Sequence, residues 1–332
     1  MATTDRFRGG RDLQPRVRRP KVTVQDLLDR GHDCLRLRVF SAADRLSRVV
    51  REPALHRPGL ALAGFFKHFA EHRIQVIGLA EYDYLASLPA RTRMERLEQL
   101  FARRVPAVVF ARGKRVFGEV RLLAERHGVP VLVTPLITRQ FQNVATVLLE
   151  DLSAQRCRVC GTLLEVAGLG VLLEGPAGIG KSETALGLIK RGHALVADDM
   201  TEMRRTGAGT LVGVAVALTR HYMEIRGIGI IHVPSLFGAA SVAAEKPVDL
   251  IVSLRRQSDA DADADRIGEA RFHPGIMGIR LPQIVIPVAP GRDLVNIVET
   301  AALEWRLRQA GHVAARDLDE RIKRRLTGGS GE

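Results

Sequence analysis

The residues best placed to do chemistry are Gly175, Pro176, Ala177, Gly178, Ile179, Gly180, Lys181 and Ser182, which follow the pattern G-x-x-x-x-G-K-S. The apolar run Gly170–Glu174 before them reads as a short buried strand. After them, Ala185, Leu188 and Ile189 recur at helical spacing from Ser182 to Arg191, with Gly192 as a stop. A strand, a glycine loop and a helix in that order gather backbone N–H groups and a helix N-terminus around one point, which attracts a polyphosphate. Lys181 is expected to reach the β- and γ-phosphates, and Ser182 to hold Mg²⁺ through its hydroxyl.

Two more stretches carry groups such a site needs. The apolar run His193–Ala197 ends in Asp198-Asp199. A strand ending in carboxylates beside a phosphate loop suits metal handling or proton abstraction; away from such a loop it is a polar turn. Glu224-Ile-Arg-Gly-Ile-Gly-Ile-Ile-His-Val233 offers Glu224 to a metal and Arg226 to oxygen anions, or is a glycine-kinked strand with a surface ion pair. Cys157-Arg-Val-Cys160 has no second C-x-x-C or H-x₃₋₅-H to complete a zinc site. If those residues are extended, side chains three apart face opposite ways and the two sulfurs do not meet. The alternating run Asp259–Asp265 fails the calcium-loop template at Ala264 and Ala270, and reads as an exposed loop.

The elements that must position these groups alternate between strand and helix, which makes the chain α/β. Helices are expected at Val24–Leu28, Ala61–His72, Arg91–Arg103, Glu119–His127 and Thr138–Leu152. Strands are expected at Leu35–Val39, Arg73–Gly78, Ala107–Phe110 and Val131–Val133, forming a small parallel or mixed sheet. Leu163–Val166 and Val171–Leu173 make a hairpin around Ala167-Gly168, and helices close the chain at about Leu294–Arg308 and Val313–Leu326. The expected division is a basic arm at 1–20, a small N-terminal α/β domain at 21–152, a C-terminal domain with the phosphate loop at 153–326, and a tail at 327–332.

The 332 residues are 46% hydrophobic and 26% charged, ordinary values for a soluble globular protein. No signal-like segment and no apolar run of membrane-spanning length occurs in the sequence, so a cytoplasmic location is expected and a membrane partner is not. Three cysteines fit a reducing compartment. The net charge of +13 suits an acidic or phosphorylated partner. It also suits nucleic acid, although three Tyr and one Trp supply no stacking motif. Seven of the basic residues fall in the first 21 positions among glycines and prolines, as in a disordered arm.

Gly175–Asp199 together with Glu224–Val233, Asp265-Arg-Ile-Gly268 and Pro287-Val-Ala-Pro-Gly-Arg292 resembles the bacterial HPr kinase/phosphorylase family. Arg57-Pro-Gly-Leu-Ala-Leu-Ala-Gly64 and Arg73–Gly78 extend the likeness into the first half. The resemblance implies a homohexamer of two-domain subunits that uses ATP and Mg²⁺ to phosphorylate a serine of the phosphocarrier HPr, and can remove the phosphate by phosphorolysis, releasing pyrophosphate. It implies that Gly175–Ser182 bind the nucleotide, that Lys181 is catalytic, and that Ser182 and Glu224 hold the metal. Asp199 would take the serine proton and return it in reverse, Arg266 would complete the site, and Pro287–Arg292 would serve dephosphorylation.

Two positions depart from the pattern. Cys160 stands where the family has a histidine, 21 residues before the loop lysine, and a thiol is neither a cationic donor nor a base of imidazole strength. Ala289 stands for an arginine in the dephosphorylation loop, one cation fewer for a step that gathers two phosphates. The competing readings are an ATP-binding regulator with weak or no phosphoryl transfer, favoured by Cys160, and a nucleic-acid-binding ATPase, favoured by the basic arm.

Overall fold

The computed structural model describes residues 16–256, 271–312 and 322–323. They form two compact units, Arg19–Ala154 and a second unit that contains Gln155 onward together with the segment ending at Arg18.

The first unit holds strands β1 (Arg38–Ser41), β2 (Leu55–His56), β3 (Ile74–Ile77), β4 (Val108–Phe110) and β5 (Val131–Val133). Their order is β1-β5-β4-β3-β2, with β2 to β5 parallel and β1 antiparallel at the edge. Every residue of β3 and β4 is buried, as a strand covered on both faces requires. Ile74, Val76, Val109 and Leu132 pack on α1 (Val24–Arg30), α2 (His32–Leu35) and α7 (Thr138–Ser153). Ile77, Val108, Phe110 and Val131 face the other way, toward α3 (Gly59–Leu62), α4 (Leu79–Ser87), α5 (Ala90–Ala102) and α6 (Gly118–His127).

Three expectations for this unit need correction. Leu35 ends the helix α2 rather than opening a strand, and the strand begins at Arg38. The helix expected over Ala61–His72 stops at Leu62, because Gly64 adopts φ 104° and turns the chain out of the helix. Phe65, just past that turn, is 52% exposed. The helix α4 follows β3 directly, where none was expected.

In the second unit, β6 (Arg156–Cys160), β10 (Met200–Arg205), β11 (Leu211–Ala215) and β14 (Glu245–Pro247) form an antiparallel sheet. A six-stranded sheet has the order β16-β17-β15-β8-β7-β9, from β7 (Thr162–Val166), β8 (Leu169–Glu174), β9 (Ala194–Ala197), β15 (Leu250–Arg256), β16 (Arg271–Phe272) and β17 (Pro282–Val288). Its one face carries Leu164, Val171, Leu173, Val252 and Leu254 against α8 (Lys181–Lys190) and α10 (Leu294–Gln309). Leu163, Leu172 and Ile251 alternate onto the other face and meet Cys157, Met203 and Leu211 of the antiparallel sheet. The hairpin β12 (Tyr222–Ile225) and β13 (Gly229–His232) is followed by the short helix α9 (Val233–Phe237).

Of the basic arm, only residues 16–20 are described. Arg18 exchanges backbone hydrogen bonds with Arg156 at 2.7 and 2.9 Å, so this end of the arm is paired to the edge of β6. Arg266, the run Asp259–Asp265 and most of the expected helix Val313–Leu326 lie outside the described residues. Among the described residues no helix is long and apolar enough to cross a membrane.

Candidate functional site

The phosphate loop leaves the carboxyl end of β8, a central strand with the parallel β15 on one side and the antiparallel β7 on the other. That end is pinned by side chains. The Ser253 hydroxyl of β15 donates to Glu174, and Gln283 Nε2 of β17 donates to the same carboxylate at 3.2 Å and to Ser253 Oγ at 2.6 Å. At Gly175 the loop turns so tightly against β15 that an added Cβ would come within 2.6 Å of the Leu254 carbonyl oxygen. Ile179 is buried against the sheet, and α8 begins at Lys181 with Ala185, Leu188 and Ile189 all turned into the core.

Lys181 Nζ donates to the carbonyls of Gly175 at 3.0 Å and Pro176 at 3.3 Å, which places the loop's cation over the mouth of its own curve. Ser182 Oγ, one residue on, donates to Asp198 at 3.3 and 3.4 Å. The Asp198 carboxylate also accepts from Thr162 Oγ1 at 2.9 Å and from the Glu224 backbone N–H at 3.3 Å. Burial pushes the Asp198 carboxyl above its ordinary pKa, and the hydrogen bonds from Thr162, Glu224, Ser182 and the Asp199 backbone pull against that shift. Three segments distant in sequence thus converge on one carboxylate.

Glu224 owes its position to strand alternation. Met223 and Ile225 of β12 are buried in the core shared with α8, so Glu224 between them lies on the exposed face. The stretch Glu224–Val233 is a hairpin rather than a single kinked strand: Ile225 pairs with Gly229, and Arg226-Gly227-Ile228 makes the turn. That turn lays Arg226 on the phosphate loop. A Cβ added to Gly178, which has φ 75°, would stand 3.2 Å from an Arg226 guanidinium nitrogen. Arg226 therefore lies beside the phosphate loop, and the Glu224 backbone N–H donates to Asp198 at 3.3 Å.

Asp199 follows β9 in the left-handed region, φ 59°, and its side chain is exposed. Its backbone carbonyl accepts from Gly161 N at 2.8 Å, which ties the residue to the β6–β7 connection where Cys160 lies. Cys160 itself pairs in register with Met200. It is exposed, whereas Cys157 is buried on the opposite face of β6 with its thiol pushed up to about 11 by burial and, secondarily, by Glu202. Both thiols are free.

The structure thus brings Lys181, Ser182, Asp199, Glu224 and the loop glycines into one neighbourhood. Sequence reading missed the central part played by Asp198 and missed Thr162. Asp198 was legible only as one of two carboxylates at a strand end, and Thr162 had no signal, being 36 positions away. Among the described residues no three His, Cys, Asp or Glu side chains gather as a preformed metal cage. The donors that do converge are a hydroxyl and carboxylate oxygens, hard ligands that suit Mg²⁺, an ion usually held by one or two carboxylates with substrate phosphates.

Comparison with known proteins bears on both units. Residues 22–149 match the family described as HPr Serine kinase N terminus, and residues 151–322 that described as HPr Serine kinase C-terminal domain. The HPr kinase/phosphorylase of Caldicellulosiruptor bescii is 42% identical over 285 residues, which span 86% of this chain and 91% of that protein. The HPr kinase/phosphorylase of Leptospira biflexa is 39% identical over 304 residues, 91% of this chain and 94% of that one. Among solved structures, the Hpr(Ser) kinase/phosphatase from Coxiella burnetii is 35% identical, with a TM-score of 0.44 over 48% of this chain and 97% of that chain. With both units matched in order and these identities sustained over nearly the full length of its relatives, the chain belongs to the HPr kinase/phosphorylase family.

Proposed function

We propose that this protein transfers the γ-phosphoryl group of ATP to a serine of the phosphocarrier HPr, and that it also catalyses the phosphorolytic reverse. The convergence of Ser182, the Asp198 carboxylate and the Glu224 main chain beside Lys181 carries this reading. In the forward direction the loop amides and Lys181 hold the β- and γ-phosphates, and Arg226 adds a guanidinium above Gly178. The substrate serine oxygen bonds to the γ-phosphorus as the bond to the β,γ-bridging oxygen breaks, and ADP carries that oxygen away. A serine hydroxyl is a weak nucleophile, so its proton passes to the exposed Asp199 carboxylate. Ser182 and Glu224 would hold Mg²⁺, with Asp198 accepting from the Ser182 hydroxyl, and the ion would neutralise charge on the phosphoryl oxygens.

In reverse, an oxygen of inorganic phosphate bonds to the phosphoserine phosphorus as the phosphorus–serine oxygen bond breaks, pyrophosphate forms, and Asp199 returns the proton to the serine oxygen. Arg292 is the cation of the Pro287–Arg292 loop, and its guanidinium donates to the Pro287 carbonyl at 2.8 Å. Arg266 is assigned to complete the site. The subunits assemble as a homohexamer in the cytoplasm.

One observation favours a second reading. Position 160 lies in the strand register opposite Met200, just past Asp198-Asp199, and holds a thiol. A regulator that binds ATP without transferring phosphate would tolerate that. Incubation with γ-labelled ATP, Mg²⁺ and purified HPr separates the two: phosphoserine on HPr from the parent and none from Lys181→Ala supports transfer, while ATP binding without label on HPr supports the regulator.

A further inference from the structure

The arginines at the amino-terminal edge of the first unit's sheet have no part in this chemistry. Arg48, Val49 and Arg51 lead into β2, Glu71 and His72 into β3, and Arg103, Arg104 and Pro106 into β4. Because β2, β3 and β4 are neighbouring parallel strands, the three connections meet at one end of the sheet and line a half-open pocket of about 440 Å³. Four guanidiniums line it against one carboxylate, Glu71.

Arg48 has a structural task that accounts for it. It donates to the Gly128 carbonyl at 3.1 Å and to the Arg104 carbonyl, capping the ends of the chain after α6 and α5. Its pKa is lowered by burial and then by the nearby charges of Arg104 and Arg45, so the cluster is crowded with like charge. Arg51, Arg103 and Arg104 have no such account. Among the described residues no carboxylate comes within ion-pair distance of them, and Arg103 rests over the Phe66 ring with its charge unneutralised. A helix C-terminus supplies only about half a negative charge, too little to offset this cluster.

We infer that this cavity binds a small phosphoryl-bearing anion. The volume lies within the range of small-ligand pockets, about 300–1,000 Å³. Planar guanidinium forks grip phosphoryl oxygens in pairs, and a phosphoryl group brings roughly −1.5 to −2 of charge with three acceptor oxygens, which a single carboxylate does not match. The concave wall favours a small molecule over the extended backbone of a nucleic acid.

The test is calorimetric titration of the full chain, with its phosphate loop first saturated by Mg²⁺ and a non-hydrolysable ATP analogue. Inorganic phosphate, pyrophosphate and glycerol 3-phosphate are the probes, and their ranking separates a free inorganic anion from a phosphorylated metabolite. At least one should bind saturably, and Arg51→Gln combined with Arg103→Gln should weaken it by about tenfold or more without changing the melting temperature. Arg51→Lys, which keeps charge but not the fork, should fall between. Should the double variant be unstable, Arg51→Gln alone still reports. No saturable binding up to about 1 mM, unchanged affinity in the variants, or binding of single-stranded DNA in place of all three probes overturns the inference.

Discussion

The two adjacent carboxylates just past β9 have different surroundings. Asp198 is half-buried and accepts hydrogen bonds from Thr162, Ser182 and the Glu224 amide, whereas Asp199 is exposed. Asp199→Asn should lower transfer to HPr by roughly 10²–10⁴-fold while ATP affinity and melting temperature stay near the parent values. Asp198→Ala strips three donors of their acceptor and should cost about 2–4 kcal/mol of stability, read by denaturant titration. The cysteines separate in the same way. With its thiol raised to about 11, buried Cys157 is protonated at neutral pH, so a thiol-alkylating reagent should label Cys160 first. Mg-ATP should protect Cys160, labelling should stop transfer, and Cys160→His should keep or raise it; full labelling with unchanged activity would remove position 160 from the working site.

At the scale of elements, what was legible in the sequence was whatever a short window contains. The phosphate loop, the strand before it and α8 after it were readable because the motif, the apolar run and the spacing of Ala185, Leu188 and Ile189 all fall within about two dozen positions. The helix expected over Ala61–His72 failed because an apolar period does not register one glycine: Gly64 leaves the helix, and the phenylalanines beyond it follow a different path. The alternative of a glycine-kinked strand over Glu224–Val233 missed the hairpin for the same reason, since nothing in its apolar run marks the turn at Gly227 and Gly229 as a reversal. The pin at the end of β8 was unreadable, since Ser253 and Gln283 lie 79 and 109 positions from Glu174. One substitution tests whether that tight turn matters. Gly175→Ala drives a Cβ into the Leu254 carbonyl and should cost roughly 1–3 kcal/mol and weaken ATP binding, whereas Gly209→Ala, also at positive φ but with open space around it, should cost only the backbone strain of about 1 kcal/mol.

For the whole molecule, most of the surplus of 50 basic over 37 acidic residues falls in residues 19–154, which hold 22 basic against 14 acidic residues and include the four cavity arginines. The proposed hexamer should appear in light scattering as a particle of about six times 36.5 kDa, and a monomer would contradict it. Ala289 predicts an imbalance between the two directions: Ala289→Arg should raise pyrophosphate release from phosphorylated HPr more than it changes forward transfer. The central claim is that the loop around Lys181 donates phosphate to a serine with Asp199 as the base. The most direct measurement is rapid-quench transfer from γ-labelled ATP to purified HPr by parent and Asp199→Asn, with ATP binding titrated on the same preparations. The account predicts label on an HPr serine at a rate that falls by at least about a hundredfold in Asp199→Asn at unchanged ATP affinity; equal rates in the two proteins would contradict it.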